Sequence, residues 1–187
     1  MRNFLLGIIV AIVAAAIGLA GVVLLGMAPT RADSAPPEWE MHLAHVALDR
    51  AIERGAPRVN NPIPPTDANL IDGIKTYVMA CAECHGGLDS KPSAMAHSFY
   101  PPAPGLIMHP LDDPEWQVFY TIRTGVRNTG MPAWGKTMSE TDMWKVAAFL
   151  TRVEKLPPAV QDYWQKSAGV PPPAEGQEHH DHSHHDD

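Results

Sequence analysis

At 187 residues, with 45% hydrophobic and 19% charged side chains, the chain has room for one ordinary domain with extensions and is too short for two large ones. Its formal net charge of −7 is concentrated at one end: residues 174–187 hold five carboxylates and no Lys or Arg, and the remainder carries 14 basic against 16 acidic residues. A near-neutral body without a basic stripe argues against nucleic-acid binding, and 14 of the 19 prolines fall in 57–65, 101–114 and 157–173, which read as linkers or irregular chain.

In chain order, Phe4 to Met27 is a run of 24 residues without a charge. As a helix it is about 36 Å long, enough to cross a bilayer core of about 30 Å with some tilt. Thr30-Arg31-Ala32 loosely resembles a signal-peptide cleavage site, but the apolar region of a signal peptide is only about 7–15 residues long, so an uncleaved anchor is expected. Flanking charge orients it weakly, with Arg2 on one side and Arg31, Asp33, Glu38 and Glu40 on the other.

After Pro36-Pro37 the pattern predicts a helix over 38–54. Trp39, Leu43, Val46, Ala47 and Leu48 form an apolar face that is expected to pack on the main domain or to stand between it and the membrane. His42 and His45 lie three apart on it and read as helix histidines, because two ligands do not make a metal site. The run Asn61-Pro62-Ile63-Pro64-Pro65 breaks regular structure.

Thr66 or Asp67 can cap the next helix, with Leu70, Ile74, Tyr77, Val78 and Cys81 on one side. It ends in Cys81-Ala82-Glu83-Cys84-His85, and the sequence has no other cysteine. Two thiols at this spacing can add across the two vinyl groups of one haem, and the histidine that follows can ligate its iron. A redox-active disulfide would call for a βαβ pattern that is not visible here. A structural zinc site would call for four protein ligands.

Downstream lies the proline-rich stretch Tyr100-Pro101-Pro102-Ala103-Pro104-Gly105-Leu106. Asp113 can cap a helix with Pro114 at its first position, running through Trp116, Val118, Phe119 and Ile122 to a stop at Gly125. The segment Arg127–Gly135 that follows contains Met131, whose thioether is a neutral, soft ligand that favours ferrous iron. Met95, Met108, His97 and His109 also sit in irregular chain, whereas Met143 falls in a helical stripe and reads as core. The last strong helix opens at Ser139, with Asp142 where a capping box would have Glu. Its stripe is Met143, Val146, Ala147, Leu150 and Val153, and Pro157-Pro158 stops it. Residues 159–187 read as a proline-rich linker followed by a tail, Glu178–Asp187, with no apolar residue to pack. That tail is expected to be disordered, and its five histidines and neighbouring carboxylates can bind divalent metal loosely.

Residues 66–158 resemble the class I c-type cytochromes. In that family a helix ending in the haem-binding motif crosses a C-terminal helix, with a glycine of the first meeting an aromatic of the second. Gly73-Ile74-Lys75-Thr76-Tyr77 is similar to the first partner, and Trp144 with Phe149 and Leu150 to the second. The resemblance implies a mainly α fold of a few helices around one covalent haem c, attached at Cys81 and Cys84 and ligated by His85 and Met131. It further implies that the Pro104 carbonyl holds the outer nitrogen of His85 and that Leu106 packs on the ring. The organisation expected is an anchor (1–30), a short helix and linker (31–65), the cytochrome domain (66–158) and a linker with tail (159–187). By the same resemblance the chain is an inner-membrane, single-pass protein with its haem domain in the periplasm. It passes single electrons between donor and acceptor proteins and has no catalytic residue of its own. Two other arrangements stay open, a fixed haem subunit of a larger membrane oxidoreductase and an open-haem sensor or enzyme.

Overall fold

The computed structural model describes residues 1–168, and among these there are helices and short 3-10 turns but no strand. The chain divides into two units, Met1–Ala32 and a second that begins at Asp33. The first is essentially one helix, α1 (Arg2–Leu24), which buries no residue and is long and apolar enough to cross a membrane by length and composition. The histidine-rich tail expected to bind metal lies outside the described residues.

In the second unit the helices are α2 (Glu38–Gly55), α3 (Asp67–Ala80), α4 (Ala82–His85), α5 (Glu115–Thr124), α6 (Glu140–Leu150) and α7 (Pro158–Ala168). The core is organised around α6. Seven of its eleven residues, Met143, Trp144 and Val146–Leu150, are buried, because after the first turn its only charged residue is Lys145. That ammonium reaches Asp72 of α3 at 2.9 Å, and Asp72 also takes Lys75 at 3.2 Å. Lys145 first, and Lys75 after it, hold the Asp72 carboxyl below the usual carboxylate range. Ser139 caps α6 as expected: its Oγ accepts from Asp142 N at 3.1 Å and donates to the Asp142 carboxylate at 2.7 Å.

Helix α3 is capped by Thr66, whose Oγ1 accepts from Asn69 N at 3.3 Å, and it buries Leu70, Gly73, Ile74 and Tyr77 against α6. A Cβ at Gly73 would run into the backbone carbonyl of Lys145 and come within 3.2 Å of Phe149 Cβ. Hydrogen is the only substituent that lets the two backbones meet there, which offsets the propensity cost of a mid-helix glycine. Of the aromatic partners expected for this glycine, Phe149 takes the place. Trp144 instead turns toward α5 and stacks on Phe119, with ring centroids 3.9 Å apart. Val78, expected on the buried stripe, is 47% exposed, since it sits at the margin of the arc that Leu70, Ile74 and Tyr77 define.

Three boundaries differ from the sequence reading. Helix α5 starts at Glu115, so Pro114 rather than Asp113 occupies the cap position. Helix α6 ends at Leu150, and Val153 belongs to a separate 3-10 turn. Most consequentially, 158–168 is a helix where a linker was expected. Pro158 stands at its first position, where a missing N–H costs nothing, and Val160, fully buried, leads the stripe Val160, Tyr163, Trp164 onto the core. The proline-rich stretch before α3 is likewise tied down. Asn61 donates to Glu115 at 2.5 Å and to Trp144 O at 3.2 Å, and Glu115 pairs with Arg152 at 2.5 Å.

Because Gly73 abuts backbone rather than a movable side chain, Gly73→Ala is expected to destabilise the domain by about 1–3 kcal/mol. The measurement is thermal unfolding, where this would lower the midpoint by roughly 4–20 °C; an unchanged melt would contradict the close contact.

Candidate haem site

The site is built where α3 runs into α4. Cys81 is both the last cap of α3 and the first of α4, and its carbonyl accepts from Cys84 N at 3.1 Å and His85 N at 2.9 Å. One helical turn thus carries both thiols and the imidazole. Gly86 ends it with φ +90.

His85 is half-buried, and its Nδ1 lies 2.8 Å from the carbonyl oxygen of Pro104. Burial lowers the histidine's pKa and the Pro104 bond partly restores it, so the neutral ring dominates near neutral pH. A carbonyl can only accept, so Nδ1 carries the hydrogen and Nε2 keeps its lone pair. The His85 carbonyl is held as well, accepting from Leu106 N at 3.2 Å. Pro104 and Leu106 therefore bracket the histidine from the same loop, Pro104 exposed and Leu106 half-buried against the core.

Two further side chains lock the turn from inside. The phenol of Tyr77, fully buried, donates to Gly86 O at 2.7 Å and lies 3.3 Å from His85 O; burial raises its pKa, so it stays a neutral donor. Trp164 of α7 donates its indole N–H to Leu88 O at 2.8 Å. The rings of Tyr77, Phe149 and Trp164 form a continuous set, with centroids 5.6 and 5.5 Å apart. Neither role was read from the sequence. By periodicity Tyr77 reads as a core residue of the helix, although it lies four residues ahead of Cys81, and Trp164 falls in a stretch that reads as linker.

Neither cysteine forms a disulfide, and both are half-buried. Burial, with a smaller contribution from Cys84, pushes the Cys81 thiol up to about 12. A redox-active dithiol is expected within a βαβ unit, and no strand occurs among the described residues, so that alternative lacks its usual setting.

Met131 stands on its own braced loop. Val126 N donates to Met131 O at 3.2 Å, Thr129 Oγ1 donates to Val126 O at 2.8 Å, and Met131 N donates back to Thr129 Oγ1 at 3.1 Å. Gly125 enters the loop with φ +65, and a Cβ there would lie 2.8 Å from Met131 O and 2.6 Å from Pro132 C, so a side chain is excluded twice over. Among the other candidates, Met143 is fully buried in α6, Met95 and His97 lie exposed on a 3-10 turn, and Met108 is half-buried beside an exposed His109. His42 and His45 are exposed on α2, and no group of three or more His, Cys, Asp or Glu side chains is gathered for a metal ion among the described residues.

A neutral imidazole with a committed Nδ1–H and two unpaired thiols on the same turn, together with a braced loop that carries Met131, fit a haem attached by thioethers. The family model for the cytochrome c oxidase, cbb3-type, subunit III matches residues 68–150. Those residues form a class I c-type cytochrome domain. Such a domain implies haem c as its cofactor. A comparison with curated proteins finds no match. Among solved structures, a chain of the Kuenenia stuttgartiensis reducing HAO-like protein complex is similar at 21% identity and a TM-score of 0.43, over 56% of this chain and 54% of that one. This chain thus spans about half the length of that relative.

In the cytochrome domain, Tyr77→Phe removes the donor to Gly86 O while keeping the ring. It is expected to cost about 1–3 kcal/mol, since a buried carbonyl is left without a partner, and denaturant unfolding of the wild type and variant measures the difference.

Proposed function

We propose that the chain is a membrane-tethered, periplasmic one-electron carrier with a single haem c attached at Cys81 and Cys84 and ligated by His85 and Met131. The observation that carries this reading is the His85 ring, whose Nδ1–H is spent on the Pro104 carbonyl and whose remaining nitrogen is thereby left as a ligand. A bound haem c supplies one-electron chemistry through the ferric and ferrous states of its iron. The chain's own residues orient it. Pro104 and Leu106 fix the imidazole's plane and basicity, Tyr77 and Trp164 immobilise the turn beneath, and Thr129 sets the height of Met131.

Were His85 and Met131 both to hold the haem iron, no ligand position would be left for a substrate, which favours electron transfer over turnover. Beside the motif, Val78, Met79 and Met95 are 47%, 79% and 42% exposed and line a shallow groove with Ala82 and Glu83. That groove offers a redox partner a surface to dock on beside the motif. Helix α1 acts as the tether and raises the carrier's effective concentration near membrane-bound partners.

A second reading is favoured by the matched family's description as subunit III of a cbb3-type oxidase. In it the same haem domain is a fixed subunit passing electrons inside a larger complex. Purification of the full chain from native membranes separates the two: a free monomer supports the carrier, a stoichiometric membrane partner the subunit.

Met131→Ala tests the ligand set. Wild-type ferric protein is expected to show the weak long-wavelength band of a thioether–iron bond. The variant is expected to lose that band, to bind carbon monoxide rapidly when reduced and to have a lower reduction potential. Covalent haem with no such band in the wild type would move the reading to an open-haem sensor or enzyme.

A further inference from the structure

Helix α2 has two faces, and only one of them is used by the domain. Toward the domain, Glu40 accepts from the Tyr100 phenol at 2.8 Å, Gly55 sits beside Tyr120, and Met41, Leu48 and Ile52 are half-buried. On the opposite side, Trp39, Leu43 and Val46 stand 69%, 61% and 44% exposed. The apolar face expected to pack on the domain or to stand between it and the membrane is therefore split: Leu48 turns inward, and these three point away. With Arg50 and Arg54 they fall at i, i+4, i+7, i+11 and i+15, one straight stripe along the helix. The carboxylates Glu38, Glu40 and Asp49 lie off it, and Glu53 stands at its edge. Arg50 is 79% exposed and reaches Glu53 only from the side, at 3.4 Å.

We infer that this stripe of α2 lies on the lipid bilayer surface, with Trp39, Leu43 and Val46 at the boundary between headgroups and acyl chains and Arg50 and Arg54 on lipid phosphates. The inference rests on the reading of α1 as a retained anchor. Only residues 25–37 separate α1 from α2, and fully extended they reach about 45 Å, so the start of α2 cannot leave the neighbourhood of the membrane. The end of the stripe nearest the anchor carries the tryptophan, the residue type that prefers the interface. The far end carries the cations, which suit anionic headgroups, and no carboxylate interrupts the row. Contacts to the domain hold the stripe rigid, so docking it costs little ordering and also fixes which side of the domain faces the membrane.

The test uses full-length holoprotein, matured with haem, at one copy per nanodisc of phosphatidylethanolamine and phosphatidylglycerol. An environment-sensitive fluorophore is attached at Leu43→Cys or, as an exposed position off the stripe, Ala51→Cys. The label at 43 is expected to emit at shorter wavelength and to be quenched several-fold by lipids brominated near the headgroup, while the label at 51 is not. Equal, weak quenching at both positions overturns the inference. So does a blue shift at 43 without bromolipid quenching, which would mark a protein surface as the occupant. Intact mass separates the underlying reading: loss of residues 1–30 from the mature chain would overturn the anchor and the inference together, whereas a retained anchor without quenching overturns the inference alone.

Discussion

The approach of α3 to α6 at Gly73 is the constraint on which the rest of the domain depends. A glycine against the Lys145 carbonyl sets the separation of two helices to a value that no side chain permits. From that separation follow the burial of Tyr77 and Phe149, the reach of Lys145 to Asp72 and the position of the last turn of α3, where the haem-binding residues begin. The crossing lies two helical turns from Cys81, so its geometry passes to the site through rigid helix rather than through a loop.

The site itself is held mainly through backbone carbonyls. Pro104 O takes the His85 ring, His85 O takes Leu106, Gly86 O takes Tyr77 and Leu88 O takes Trp164. Each bond removes a freedom that a single-turn helix would otherwise keep, and each commits a donor to a backbone oxygen rather than to the side chains proposed to hold haem. The aromatic set Tyr77, Phe149 and Trp164 links these bonds to α6 and α7, so the turn carrying the histidine is as fixed as the core. A metal-bound imidazole with its outer N–H on a carbonyl keeps one orientation and one tautomer, which suits a centre that changes charge and should change little else.

Outside the crossing, the chain spends its polar groups on pinning proline-rich segments. Asn61, Glu115 and Arg152 join the stretch before α3 to α5 and to the end of α6, and Tyr100 reaches Glu40 on α2. The result is a domain wider than the resemblance to known cytochromes covers, with a helix added at each end. One added helix braces the haem-motif loop, and the other turns an apolar row ending in arginines away from the domain.

Much of this was legible in the residues. Cys81, Cys84 and His85 point to their proposed chemistry by spacing alone, because the reaction proposed for them with haem is local. The caps at Thr66 and Ser139, the stop at Gly125 and the charge-free run of α1 rest on neighbours within one or two turns, and the structure agrees with them. What the sequence could not settle depends on partners distant in the chain. Trp144 and Phe149 are both aromatic residues on α6, and only the crossing angle decides that one faces Gly73 while the other stacks on Phe119. Helix α7 looked like linker because its prolines are read locally as breakers, whereas its stability comes from burying Val160 and Trp164 on a surface that exists only once α3 and α6 have met. The apolar residues of α2 gave its helical period but not which of them would be covered. Periodicity states that a helix has a face; which face is filled is decided by the shape of what it packs against.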